Sequence, residues 1–207
     1  MKSAVIVSFG THAQLLFEIL KIQNKSIVGY TDVRDCQSDK LTYLGNDSIF
    51  GSLDSKEIFL VNGIGTSGKR NQSQLRKNIY NTFSEKFEFA TILHPGSIIS
   101  PSAIIEKGAQ VMAGAIIQTS SRIGYNTIIN TRASVDHNCI IGDHVHISPG
   151  AVLCGEVTVN SGSHIGAGAT IIQNVTIGHN VVVAAGAVVI DDVPDGAVVM
   201  GVPAKRR

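Results

Sequence analysis

Residues 134–151 read Ser-Val-Asp-His-Asn-Cys, Ile-Ile-Gly-Asp-His-Val and His-Ile-Ser-Pro-Gly-Ala, three six-residue lines with an aliphatic side chain second in each. Stepping back by six from Val135 reaches Ile129, Ile123, Ile117, Val111, Ile105 and Ile99. Stepping forward from Ile147 reaches Leu153, Val159, Ile165, Ile171, Ile177, Val183 and Val189, for sixteen hits without an insertion. Four residues after each hit stands a small or β-branched residue, among them Ala109, Ala133, Cys139, Val157 and Val193. Three residues after, ten of the sixteen are Gly or Asn, as at Gly108, Asn126, Asn138 and Gly150, the types that most cheaply take a positive φ. No α-helix has a period of six, and a flat strand shows only a period of two. The spacing therefore predicts short strands joined by corners with a left-handed residue. Three strands make a triangular coil, and the ninety-six residues of the sixteen units stack as about five coils of a parallel β-helix, within a domain over 95–207.

Residues 1–94 lack that period. Ala4 to Ser8 is a short apolar run typical of a buried strand, followed by Phe9-Gly10-Thr11-His12 and an apolar helical stretch from Ala13 to Ile22. Ser26 to Tyr30 is a second strand candidate ending at Thr31-Asp32, and Ile58 to Val61 a third, followed by Asn62-Gly63-Ile64-Gly65. A polar helix of about twenty residues is expected from Gly68, and Phe87 to Leu93 is a fourth strand candidate. Strands alternating with helices predict a small Rossmann-like α/β domain, with ligands at the carboxyl ends of its strands. The first turn has one Gly where a dinucleotide fingerprint requires three.

Seventeen Lys and Arg face sixteen Asp and Glu, for a net charge of +1, which argues against a protein held by nucleic-acid phosphates or an anionic membrane surface. Signal-peptide features are missing from the start. The longest apolar run, Val181 to Ile190, is too short to span a bilayer. Cys36, Cys139 and Cys154 cannot all pair, which suits a reducing, cytoplasmic setting.

The sixfold pattern resembles the left-handed β-helix of the hexapeptide acyltransferases; the handedness comes from that resemblance. With the G-x-H-A turn at Gly10, the strand ending in Asp32, the turn at Gly63-Ile64-Gly65 and the closing Gly201-Val202-Pro203-Ala204-Lys205, the likeness covers nearly the whole chain. It is similar to the bacterial nucleotide-sugar N-acetyltransferases and sialic acid O-acetyltransferases. Within these it most resembles the enzymes that acetylate the 4-amino group of a UDP-4-amino-4,6-dideoxy sugar in bacillosamine synthesis. The resemblance implies acetyl-CoA as co-substrate, a homotrimer, and a nucleotide-linked amino sugar bound for a surface glycan. It assigns the nucleotide sugar to Gly10, Thr11, His12, Asp32 and Gly65. Acetyl-CoA falls to His146, Gly155, Gly166, Ala167, Ala185, Gly201, Pro203 and Lys205.

Acetyl transfer to an amine needs a base, an oxyanion stabiliser and alignment, but no metal. Histidine suits the base role because its unperturbed pKa lies near neutrality. His137 matches the family's V-x-H-[ED]-C-x-I-G pattern, so the resemblance makes it the general base. Asn138 departs from the pattern and leaves the partner that orients His137 open. His164 lies one coil beyond His146 and is expected to stack on it. Zinc held as in the β-helical carbonic anhydrases is the competing reading, but no two histidines here are spaced as in those enzymes. Cys139 is expected to fill the core and Cys154 to be exposed. The alternative activities are O-acetylation of a sialic acid and, in another class, a non-catalytic scaffold or sugar-nucleotide binding module.

Overall fold

A computed structural model describes residues 2–66 and 70–207. By backbone contacts the chain divides into units of Met1–Pro95 and Gly96–Arg207.

In the first unit β1 (Ser3–Val7) lies between β2 (Ile27–Thr31) and β3 (Ile58–Asn62), all parallel. Val7 pairs with both Thr31 and Asn62, so the three strands end together. Helix α1 (Thr11–Ile22) connects β1 to β2 and buries Ala13, Leu16, Phe17, Ile19 and Leu20, the one-sided stripe of a helix packed on a sheet. On the other side Val5, Val7, Ile58 and Leu60 pack with Phe50, Phe87 and Phe89. Helix α2 spans Arg70–Phe83, shorter than the twenty residues expected, and the predicted start at Gly68 lies outside the described residues. The fourth strand is also shorter than expected. Only β4 (Ile92–Leu93) is regular, while Phe89 forms an isolated bridge with Leu60.

The second unit is a parallel β-solenoid of the left-handed type with about six turns, one more than the repeat count suggested. Its strands, except Val198–Met200, are two residues long and three make one coil, so residue n pairs with n+18, as Ser134 with Val152 and Val135 with Leu153. The sixfold aliphatic positions from Val111 to Val189 are buried. Every third-position corner residue from Gly108 to Gly186 has a positive φ, including Ser120, Arg132, His144 and Glu156. Hydroxyls in the core are satisfied by one repeated geometry: Ser121, Thr127 and Ser163 each donate to the carbonyl fifteen residues on, at 2.6 to 2.8 Å. The buried Cys139 makes the same bond from Sγ to the Cys154 carbonyl at 3.2 Å, as expected of a core filler. Cys154 is half-buried rather than exposed. The step shortens after Val189: Val183 pairs with Val199, sixteen residues on, and Val198–Met200 then turns back onto Lys205–Arg206 as an antiparallel hairpin. Among the described residues no helix is long and apolar enough to cross a membrane.

Candidate active site

The residues assigned to the nucleotide sugar converge at the carboxyl end of the parallel sheet. Gly10 is the N-cap of α1, with no side-chain cap and no acidic residue in the first helical turn. The positive end of the helix dipole therefore faces the carboxyl end of the sheet with no side-chain cap or carboxylate on it. Thr11 is exposed and His12 half-buried. A Cβ on Gly65 would lie 2.9 Å from His12 Cβ, so the loop after β3 rests directly on the first turn of α1. Asp32 is held inward: one carboxylate oxygen accepts from Phe9 N–H at 2.9 Å and Ser8 Oγ at 3.2 Å, the other from Val33 N–H at 2.7 Å.

These contacts explain how the turn works with one glycine. Ser8 takes φ 66°, where glycine is the usual choice, and its hydroxyl bond to Asp32 helps hold that conformation. Close helix–strand packing comes from Gly63. A Cβ there would stand 2.2 Å from the Ser8 carbonyl oxygen and 2.8 Å from Ala13 Cβ. Sequence reasoning placed Gly63 in a turn without seeing this approach. It also missed Arg76, a buried guanidinium 2 % exposed whose Nη1 donates to the carbonyls of Asn62 at 3.1 Å and Ile64 at 2.6 Å. Asn62 Nδ2 returns a bond to the Arg76 carbonyl at 3.0 Å, and burial pulls the Arg76 pKa down to about 9. Together they lock the 62–65 loop. In sequence Arg76 is one more cation on a polar helix, so no local signal marks it.

In the solenoid, His137 sits exposed on the corner between strands 134–135 and 140–141. The Asp136 carboxylate accepts the His137 backbone N–H at 2.7 Å, so it caps the corner rather than the ring. The ring stands over Gly155, where a Cβ would lie 2.5 Å from both Cε1 and Nε2. The absence of a side chain at Gly155 thus leaves the imidazole its room. Asn138, at φ 57°, places Nδ2 3.1 Å from His137 Nδ1.

His146 and His164 are in register on adjacent strands, with ring centroids 5.0 Å apart and edge to face, so the expected stacking is present. They are 7 % and 9 % exposed. Asn130 Nδ2 lies 3.0 Å from His146 Nε2 and Ser148 Oγ 3.2 Å from His164 Nε2. Burial lowers the His164 pKa. Among the described residues no three His, Cys, Asp or Glu side chains are grouped to hold a metal.

One chain does not gather the solenoid residues into one place. The His137 corner joins two of the three sheets, whereas His146 belongs to the third, across the coil. Gly166, Ala167 and Ala185 lie on a different corner, where a Cβ on Gly166 would meet Ala185 N at 2.5 Å. Gly201 (φ 96°), Pro203 and Lys205 form the exposed hairpin that follows the last coil, with Ala204 N–H donating to the Val188 carbonyl at 2.7 Å.

No protein-family model matches the chain, and no curated protein does. Solved structures do. The acetyltransferase domain of PglB from Neisseria gonorrhoeae matches at 32% identity and a TM-score of 0.92, over 100% of each chain. The same domain is known in complex with acetyl coenzyme A. PerB from Caulobacter crescentus, in complex with CoA and GDP-perosamine, matches at 32% identity and a TM-score of 0.91, over 100% of this chain and 98% of its own. WeeI from Acinetobacter baumannii, at 20% identity, shares the fold at a TM-score of 0.88 over 100% of each chain. Likeness of this extent leads to one conclusion: the chain belongs to the family of nucleotide-sugar N-acetyltransferases.

Proposed function

We propose that the protein transfers the acetyl group of acetyl-CoA to the amino group of a nucleotide-linked sugar, with UDP-4-amino-4,6-dideoxy-N-acetylglucosamine as the best candidate, and that His137 is the general base. The observation that carries this reading is the exposed His137 imidazole, set on a rigid corner and given its space by Gly155. The amine nitrogen attacks the thioester carbonyl carbon as its proton passes to His137 Nε2. The tetrahedral intermediate then breaks its C–S bond, and the proton held on the imidazole goes to the departing CoA thiolate. Nitrogen gains the acetyl group, sulfur gains the proton, and His137 returns neutral.

The first unit serves as a Rossmann-like nucleotide-sugar domain over 1–94, with the diphosphate at the uncapped N-terminus of α1 near Gly10, Thr11 and His12. Gly65 and Asp32 shape that loop. Residues 95–207 carry acetyl-CoA and the chemistry. The working form is a homotrimer. His137 and the acetyl-CoA residues His146, Gly166, Ala167 and Ala185 occupy different sides of one coil, so a neighbour's solenoid must complete the site. Ile98, Ile104, Ile140 and Val152 point out of the sheets and are exposed, Ile98 at 65 %, the apolar outer surface that such packing covers. The reaction belongs in the cytoplasm, where acetyl-CoA is supplied.

Mass spectrometry of acetyl-CoA turnover with UDP- and GDP-linked amino sugars and free sialic acid tests the assignment. The expected product is an N-acetylated nucleotide sugar gaining one acetyl group. Turnover of sialic acid alone would replace it with the O-transfer reading, and no turnover of any sugar would favour a binding module. Sedimentation equilibrium tests the trimer, and a clean monomer at micromolar concentration would sink the shared site.

A further inference from the structure

Resting on the reading of His137 as base, we propose that Glu156, one coil beyond Asn138, is the positioning carboxylate of this site. Its carboxylate takes the Asn138 Nδ2–H group, which turns the Asn138 Oδ1 onto His137 Nδ1–H and leaves Nε2 free for the amine proton.

The need for such a group follows from the proton positions. With Asn138 Nδ2 facing Nδ1 at 3.1 Å, an amide donor bonds the Nδ1 lone pair and the imidazole proton sits on Nε2. A base working through Nε2 requires the other tautomer, with Nδ1–H donating to an acceptor. Asn138 supplies that acceptor when its amide is reversed. A neutral amide has no charge to prefer one orientation, so something beyond it must hold the Nδ2 end.

Glu156 is placed to do so. Asn138 and Glu156 are the same corner position on successive coils, at φ 57° and 63°, and the strands leading into them are in register. Glu156 N–H donates to the His137 carbonyl at 2.9 Å. The two corners are therefore one ladder step apart, ~4.8 Å, with their Cβ atoms directed alike, and Glu is one methylene longer than Asn. The Glu156 side chain is exposed and has no hydrogen bond or ion pair among the described residues. The His137 ring leans over Gly155, toward that same coil.

The other carboxylate and the core thiol at this corner are engaged. Asp136 caps the His137 backbone N–H. Burial pushes the Cys139 thiol up to about 11, so it stays uncharged and bonds the Cys154 carbonyl. Cys154 is half-buried beside Gly155. The preceding coil offers Thr119 and Ser120, and the following coil Gln173 and Asn174, none of them charged.

The test compares full-length Glu156→Gln, His137→Ala and the exchange variant Asn138→Glu/Glu156→Asn, each checked for parental thermal unfolding. Glu156→Gln is expected to lower kcat by roughly 10–100-fold, the range for groups that orient a functional histidine from behind, with both KM values nearly unchanged. Loss of the anion also weakens the base, so the acidic limb of kcat/KM moves to lower pH. The exchange variant, which returns a carboxylate to the residue beside His137, is expected to recover most of the loss. If Glu156→Gln keeps parental kcat and the parental limb while His137→Ala is inactive, the positioning role is overturned and the base stands. If Glu156→Gln loses rate with an unmoved limb and no recovery on exchange, its role is structural and the proposal is again wrong. If His137→Ala keeps kcat, the base reading fails and this proposal with it.

Discussion

The two units solve the same problem, burying enough apolar surface to order a chain, in opposite ways. The solenoid uses one short rule, repeated: an aliphatic residue every six, a small one four later, a left-handed corner between. Each coil contacts only its neighbours, so residue n meets n+18 until the step shortens after Val189. The first unit has no repeat, and its core joins Val5 and Val7 to Phe50 and Phe87, far along the chain. One architecture is additive and local, the other collective. Chemistry follows the same division. In the solenoid, side chains stand at fixed heights on a rigid post. In the α/β unit, three strand ends and two loops must come together before there is a site at all.

The sharpest test of that division is His137→Ala, which should cut kcat by ~10²–10⁴-fold, or about 3–5 kcal/mol of barrier, while the KM for either substrate changes little. A kcat within a few-fold of the parent would move the chemistry off this corner. Next in size is stability. Leu153 is fully buried in mid-solenoid, and Leu153→Ala should cost about 2–5 kcal/mol by urea unfolding. A loss confined to neighbouring coils in hydrogen exchange would sharpen the additive picture; uniform loss of protection in both units would break it.

Gly65→Val drives a side chain into His12. It should raise the KM for the nucleotide sugar on the order of tenfold through lost phosphate contacts, with the KM for acetyl-CoA unchanged. Equal changes in both would erase the assignment of one substrate to each unit. A smaller effect concerns acid stability. His164 is buried and its pKa lies below the 6.5 of the free side chain. The unfolded chain binds the proton first, so its contribution to stability is intact above ~6.5 and is lost as pH falls through the lowered folded value. In the isosteric neutral variant His164→Gln, unfolding between those pH values should depend less on pH. The least effect is expected at an outer corner: Arg132, at φ 57°, changed to Asn should raise stability by under about 1 kcal/mol.

How much could be read in advance differs between the units for the same reason. Period, corner conformation, the Cys139 core position and the stacking of His146 on His164 all depend on fixed intervals, so counting along the chain sufficed. The number of turns did not, because the register shortens after Val189. In the first unit the ends of the first three strands were legible to within a residue or two, but the start of the fourth was not. Arg76 was not, since its partners Asn62 and Ile64 lie across a helix–loop packing that has no counterpart in local pattern. Ser8 looked like a departure from a glycine-rich turn. In the fold it takes the left-handed geometry itself, supported by Asp32.

By itself the sequence determined the parallel β-helix, because a six-residue period leaves no other way to turn the sixth-position aliphatic residues inward along 91 positions from Ile99 to Val189. It also determined that His137 stands on a corner. Only the tertiary structure decided what surrounds that histidine: Gly155 beneath the ring, Asp136 turned to the backbone, Asn138 at Nδ1, and Glu156 on the corner one coil away. It decided as well that His146 lies on another face. These are contacts between residues distant in sequence or between side chains and backbone, and they depend on how the coil closes and stacks, which a linear pattern does not specify.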